Sequence, residues 1–385
     1  MSTEFILGID ASNIRAGGGI THLVELLKAE EPMKNMFSKV IIWSGKATLG
    51  KFENNSWLIK KNPNLLNGNL FKRTFWQKYR LANAAREERC NILFVPGGSF
   101  SCNFRPIVTL SQNMLPFQKN ELYRYGFSWM TLKMLFLRFV QSSSFKKADG
   151  VIFLTEFAKN KISKEIGKMP LHFSIIPHGI NPIFFTTPRV QKEISCYSFN
   201  NPFEILYLSI IDVYKHQWNV AEGISMLRKQ GIPVCIRFVG PAYSSALKKL
   251  KKKMQELDPN GEFIYYEGQV GHQNLPDILN RSDMFIFASS CENMPNILLE
   301  GMAAGLPIAS SDRGPMPEVL EDAGLYFNPE DPIDIAKVVS KFIASPELRK
   351  QKSYESFQNA QKFSWGTCAS QTAHFLNFIA KNYTN

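Results

Sequence analysis

Two glutamates set a fixed spacing in the stretch over 283–305, DMFIFASSCENMPNILLEGMAAG: Glu292 and Glu300 form an E-x7-E pair. The apolar run 284–288 reads as a strand that ends in the small polar residues Ser289 and Ser290. Pro295 stands where a helix would begin, its favoured place. Residues 296–304 keep helical spacing, and Gly305 fits the position just past a helix end, with Pro307 following. A strand, a short loop and a buried helix start make an anion site, because unpaired N–H groups and the helix dipole face the loop. A diphosphate suits such a site. Glu300 lies about a turn and a half inside the helix, where a carboxylate would repel a phosphate. There it can accept two hydrogen bonds from vicinal hydroxyls, as a ribose offers. Glu292, at the loop, can accept hydrogen bonds from sugar hydroxyls.

Other residues could assist. Lys215, in YLSIIDVYKHQ over 207–217, stands just before a helical pattern, where a point charge can meet a phosphate. The segment 10–20, DASNIRAGGGI, brings Gly17, Gly18 and Gly19 to a second helix start, and glycines let backbone N–H groups approach a phosphate closely. The dinucleotide fingerprint G-x-G-x-x-G is absent there, since position 22 is His22, which argues against a dehydrogenase. Neither D-x-D nor H-E-x-x-H occurs in the chain, and both absences fit catalysis without a metal.

These residues need elements to hold them. Short apolar runs bounded by Gly, Pro or Asn alternate with helical patterns along the whole chain, as buried parallel strands and crossover helices do. Strands are expected over 5–9, 39–43, 92–95, 107–110, 151–154 and 173–176, then 204–209, 234–239, 263–267, 284–288 and 307–309. The expected fold is α/β, with two doubly wound Rossmann-like domains and ligands at the carboxyl ends of strands, in a cleft. The Pro- and Gly-punctuated stretch 177–198 marks the boundary. The predicted domains are 1–180, 181–369, and a C-terminal helix over 370–385 that packs back on the first domain.

The chain has 385 residues, enough for two domains. Six cysteines without a C-x-x-C pair point to a reducing cytoplasm. The first residues read as a strand and not as a signal peptide. Charge is uneven: residues 1–190 carry 26 Lys and Arg against 12 Asp and Glu, a net +14, while residues 191–385 carry 19 against 21. An anionic partner for the first half is therefore expected, and a basic nucleic-acid-binding protein is one alternative, although no such module is recognisable. Residues 124–147 interleave Trp129, Phe136 and Phe139 with Lys133 and Arg138, and 60–80 is a second basic, aromatic stretch. The apolar face of 124–147 is expected in the core with its basic residues snorkelling out. The other reading is an interfacial helix on an anionic membrane. No stretch reaches the length of a membrane span.

The E-x7-E pair followed by GMAAGLP closely resembles the signature of retaining GT-B glycosyltransferases of family 4, and the resemblance is densest over 173–330. The resemblance implies that Glu300 holds the donor ribose and Glu292 contacts the transferred sugar, with Lys215 and Glu292 in the catalytic positions. It implies that the backbone of Asn293, Met294, Pro295 and Asn296 lines the sugar and diphosphate. Gly18 and Gly19 match the first domain's glycine loop. Gln112 and Asn113 stand where the family carries a histidine and a polar partner; Gln112 can orient the donor but not move a proton, and His22 could enter from the glycine loop instead. Ile210 replaces a diphosphate-binding arginine, for which Arg237 or Arg313 could compensate. Residues 177–181 with Phe184 match a hinge, and 238–240 and 268–271, including Gln269 and Val270, match the base-binding strand ends.

The resemblance further implies a metal-independent, retaining transfer from a UDP-sugar or GDP-sugar, with no cofactor, to a glycan or lipid-linked acceptor in surface polysaccharide synthesis. The cysteine pattern and the basic, aromatic stretches would set it in the cytoplasm, with peripheral contact on the inner face of an anionic membrane, and no nucleic acid is expected as partner. A GT-B nucleotide-sugar epimerase is an alternative, against which PNILLEGMA counts. A degenerate, non-catalytic member is another, motivated by Ile210 and Gln112.

Overall fold

The computed structural model describes residues 5–15, 17–167 and 171–384. The chain divides into two compact units: Met1–Phe117 with Phe127–Gly179 and Ser364–Asn385, and Gln118–Gly126 with Ile180–Phe363. The described residues of each unit surround one parallel sheet.

In the first unit the strands are β1 (Ile6–Asp10), β2 (Lys39–Trp43), β3 (Leu58–Lys61), β4 (Ile92–Val95), β5 (Ile107–Leu110), β6 (Gly150–Phe153) and β7 (His172–Ile175). Their order is β3-β2-β1-β4-β5-β6-β7, with every pairing parallel. In the second unit they are β8 (Phe203–Leu208), β9 (Val234–Val239), β10 (Ile264–Gly268), β11 (Met284–Phe287), β12 (Ile308–Ser311) and β13 (Leu325–Phe327), in the order β10-β9-β8-β11-β12-β13. Helices join the strands, so central strands are covered on both faces. Every residue of β4, β5, β6, β11 and β12 is buried, which is why the first four, ILFV, IVTL, GVIF and MFIF, show no polar alternation.

All eleven expected strands form, most within one residue of the expected ends. The two additional strands, β3 and β13, lie at sheet edges. β3 reads LIKK, and lysines suit an exposed edge better than a core. β13 has three residues, too few to show a pattern.

The order in which successive strands are added reverses between β1 and β4 in one sheet and between β8 and β11 in the other, while the strands themselves stay parallel. At such a switch point the loops leaving neighbouring strands diverge, opening a crevice at the strands' carboxyl ends.

Three features depart from the expected layout. The terminal helix runs Trp365–Thr384, starting five residues before position 370, and packs on the helices Gly18–Lys28 and Glu30–Met36 and on β4, all within the first unit. Cys368, Ala369, Thr372, Ala373, Leu376, Ile379 and Ala380 form its buried stripe, recurring at three- and four-residue steps. Asn385 of the expected 370–385 segment lies outside the described residues. Residues 118–126, expected in the first domain, cluster with the second unit through polar contacts given below. The helix Trp129–Lys147 is a core helix on one face only: Met134, Gln141, Ser144 and Phe145 are buried, but Trp129, Leu132, Leu135, Phe136 and Phe139 are exposed.

Candidate functional site

The loops after β8 and β11 meet at the second unit's switch point. The first, 209–216, leads into the helix Gln217–Lys229; the second, 288–295, leads into the helix Asn296–Ala303. Ser290 N–H donates to Tyr214 O at 2.9 Å and ties the two together. Tyr207 on β8 donates its hydroxyl to Lys215 O at 2.6 Å, and Lys215 N–H donates to Asp212 O at 3.1 Å, so the Lys215 backbone is fixed from both sides.

The Lys215 side chain is buried and its ammonium is ion-paired with the Glu292 carboxylate. It also lies 4.9 Å from the Phe287 ring centre and 5.2 Å from that of Tyr214. A lysine so placed has exchanged its water for one carboxylate and two aromatic faces. The two residues expected to act together are therefore in contact, one from each loop.

Ser290 is the hub behind this pair. Its hydroxyl lies 2.9 Å from His216 Nε2 and donates to Glu121 Oε2 at 2.6 Å. Having one proton, it accepts from His216, which requires the Nε2–H form of the ring. Burial, followed by the Arg124 charge, pushes the His216 pKa down to about 4, so the ring is neutral at pH 7. His216 also holds a left-handed backbone, φ 53°, at the helix start. Arg124 binds Glu121 at 2.8 Å and Glu330 at 2.7 Å. Tyr125 donates to Asp212 at 2.8 Å, and burial raises the Asp212 pKa. These contacts hold 118–126 on the two loops. The sequence does not single out Glu121, His216 or Ser290, because their partners are distant in the chain. The serine's position at a strand end beside the E-x7-E pair was the available signal.

Glu300 lies on the Asn296–Ala303 helix, beyond the loop. Its side chain keeps 16% of its surface open, while the carboxyl is surrounded by enough protein to raise its pKa to about 8 by desolvation. The nearest basic nitrogen paired with it is His272 Nε2, at 4.0 Å. Asn293, Met294 and Pro295 are buried and Asn296 half-buried, with Pro295 immediately before the helix.

After β10, Gln269 is exposed and Val270 half-buried. Gly240, at the end of β9, has φ 144°, and a Cβ there would lie 2.1 Å from Ser209 O, so glycine permits the β8 and β9 exits to close on each other. Ile210 offers its carbonyl to Gln217 Nε2 at 2.9 Å. Arg237 is engaged by Glu204 at 2.6 Å and Glu267 at 2.9 Å, so it is not free to replace the missing charge. Arg313 is exposed and held by Asp312 and Asn328.

In the first unit, Gly18 and Gly19 open the helix Gly18–Lys28 after β1. A Cβ on Gly19 would lie 2.7 Å from Gln112 Oε1, so the structure brings these two expected residues together. Asn113 accepts from Leu115 N–H at 3.1 Å and shapes its own loop. His22 is buried in an aromatic cluster, its ring 4.7 Å from that of His178 and 5.8 Å from Trp365. Burial and His178 hold its pKa well below the ordinary histidine range. The expected entry of His22 from the glycine loop is thereby corrected to a packed position inside the unit.

Among the described residues, no group of three or more His, Cys, Asp or Glu side chains is placed to hold a metal ion. A concave surface of about 830 Å³, lined by Tyr197, Phe199, Ile232, Pro233 and Ile343, contains none of the expected site residues.

The two doubly wound units are those of the GT-B glycosyltransferase fold. Anabaena HepE, solved in complex with UDP and glucose, superposes with a TM-score of 0.68 at 16% identity, covering 96% of this chain and 99% of that one. Thermosynechococcus elongatus sucrose-phosphate synthase gives 0.73 at 16%, covering 99% and 100%. WaaG, a glycosyltransferase involved in lipopolysaccharide biosynthesis, gives 0.67 at 13%, covering 97% and 99%. Within that fold, residues 195–359 match the family described as Glycosyl transferases group 1. O-antigen chain mannosyltransferase B of Escherichia coli is 30% identical over 117 residues, 30% of this chain and 31% of that protein. D-inositol 3-phosphate glycosyltransferase of Streptomyces coelicolor is 25% identical over 146 residues, 37% and 31%. The matched segments thus span about a third of these relatives.

Proposed function

We propose that this protein transfers a sugar from a UDP-sugar or GDP-sugar to a glycan or lipid-linked acceptor, without a metal and with retention at the anomeric carbon, in surface polysaccharide synthesis. The observation that carries this reading is the contact between Lys215 and Glu292 across the β8–β11 switch point, with Glu300 on the helix that follows the Glu292 loop. It lies inside the segment that matches the group 1 family. The O-antigen chain mannosyltransferase among the relatives supports the setting.

In this reading the donor diphosphate takes Lys215 as its counter-charge, with the backbone of 293–296 at the helix start. Glu292, relieved of part of that pairing, accepts hydrogen bonds from the sugar. Glu300 accepts from the ribose diol, and the loop containing Gln269 and Val270 borders the base. The acceptor hydroxyl oxygen bonds to the anomeric carbon on the face the diphosphate leaves. The carbon–oxygen bond to phosphate breaks, its electron pair goes to the phosphate oxygen, and that oxygen takes the acceptor's proton. Lys215 and the fixed N–H dipoles stabilise the charge that develops there.

The test is a thermal-shift panel of UDP-sugars and GDP-sugars run in EDTA and repeated on Glu300→Ala. Stabilisation by one donor family, retained in EDTA and lost in the variant, supports the reading and names the nucleotide. No shift with any donor overturns it. Retention is read separately, by proton NMR of the first-formed product.

A further inference from the structure

Two helices of the first unit expose aromatic residues that a water-soluble face would bury. On Trp129–Lys147, Trp129, Phe136 and Phe139 are 79%, 70% and 73% exposed, and Leu132 lies on the same face at helical spacing. On Leu70–Tyr79, Phe71 is 85% exposed, and Phe75 follows one turn on. The first of these helices is apolar on its outer face as well as its inner one, the pattern of an element that meets an apolar phase on both sides.

The two faces are neighbours. The β3-to-β4 and β5-to-β6 connections cross the sheet in the same direction, so right-handed crossovers put both helices on one side of it. Both pack against the same loop: Gln77 Nε2 donates to Ser99 O at 3.3 Å, and Phe100 N–H donates to Ser144 Oγ at 3.0 Å. Cations dominate the sequence around them, while Arg138 is ion-paired with Glu165 and Arg124 with Glu121 and Glu330. Between Glu53 and Glu87 there are seven Lys and Arg and no acid, and between Glu121 and Asp149 there are five and no acid.

We infer that this face of the first unit docks on an anionic lipid bilayer, with Trp129, Leu132, Phe136, Phe139, Phe71 and Phe75 entering the headgroup–acyl boundary. The flanking cations, Lys72, Lys78 and Lys133 among them, meet lipid phosphates. No described helix is long and apolar enough to cross a membrane, so the contact is peripheral. A second copy of the chain is the poorer occupant, because a face-to-face contact between identical patches would set the same lysines against each other. The inference deepens the lipid-linked acceptor reading, but the protein's binding to lipid can be read without any donor.

The experiment is flotation of the full chain with vesicles of mixed phosphatidylglycerol and phosphatidylcholine, and with phosphatidylcholine alone, at low and high salt. Binding is expected to the anionic vesicles and to weaken with salt. The Phe136→Ser/Phe139→Ser variant is expected to bind at least about tenfold more weakly while keeping its donor thermal shift, which separates this inference from the donor reading. In the unsubstituted protein, brominated lipid is expected to quench part of the tryptophan emission, and Trp129→Phe to lose that part while still floating. No flotation with anionic vesicles at low salt overturns the inference. So does a stable dimer that Phe136→Ser/Phe139→Ser dissociates.

Discussion

Ser290 Oγ donates a 2.6 Å hydrogen bond to Glu121 Oε2 while His216 Nε2 lies 2.9 Å away on its other side. A residue 169 positions upstream thus buttresses the loop that carries Glu292. A buried carboxylate with a hydroxyl and a guanidinium as partners is stable only while both remain. Glu121→Ala is therefore expected to leave the Ser290 hydroxyl and Arg124 short of a partner and to cost about 1–3 kcal/mol. Glu121→Gln, which keeps an acceptor for Ser290, should recover part of that. Chemical denaturation of both variants checks it; an alanine variant as stable as the unsubstituted protein would show the contact to be idle.

The Lys215–Glu292 pair makes a second, separable forecast. Lys215→Met leaves a mostly buried carboxylate without its partner, which costs about 3 kcal/mol by the usual size of such losses. In the proposed reaction it also removes the diphosphate's counter-charge, for a fall in kcat of roughly 10²–10³. Adding Glu292→Gln should restore stability and leave turnover low. If the double variant regained turnover, Lys215 would be acting on Glu292 alone and not on the donor.

How far the sequence reached follows from the range of each interaction. β1, β4, β8 and β11 were legible because buried parallel strands are largely apolar on both faces, and the E-x7-E helix because Ser290, Pro295 and Gly305 punctuate it locally. β3 was not, since an edge strand with lysines looks like a loop. The Glu121–Ser290–His216 chain was not, since it joins residues from three separate segments whose proximity exists only once β8 and β11 are neighbours. For the Trp129–Lys147 helix, an apolar sequence reads as core whether protein or something else covers it. Only the burial of Met134 and Phe145 on one side, with Phe136 open on the other, separates the two.

His216 should leave a mark on the acid side of the stability profile. Its pKa is about 4 in the folded chain against the ordinary histidine value of about 6.5, so the unfolded chain binds the proton first. The stability it contributes is fully present above pH 6.5 and is lost as pH falls through about 4. The full difference is worth at most about 3 kcal/mol. His216→Gln should show a flatter profile from pH 6.5 to 4, measured by urea unfolding at each pH. Parallel profiles would mean that the ring takes up its proton without disturbing Ser290.

Glu300 titrates in the opposite sense. Desolvation raises it to about 8 from the ordinary glutamate value of 4.5, so its contribution to the unliganded protein is fully present below pH 4.5 and is lost as pH rises through 8. At pH 7 the free carboxyl is mostly protonated. A ribose diol that donates both hydroxyls favours the carboxylate, so binding of UDP or GDP should release a proton, approaching about one per nucleotide near pH 7. Affinity should accordingly rise from pH 6 to pH 8, by up to about tenfold per unit. Calorimetry of the nucleotide in buffers of different ionisation enthalpy measures the released proton directly. Glu300→Gln should bind more weakly, release none and lose the pH dependence. Proton release that persists in Glu300→Gln would place the titrating group elsewhere, and none in the unsubstituted protein would mean that the ribose meets a neutral carboxyl.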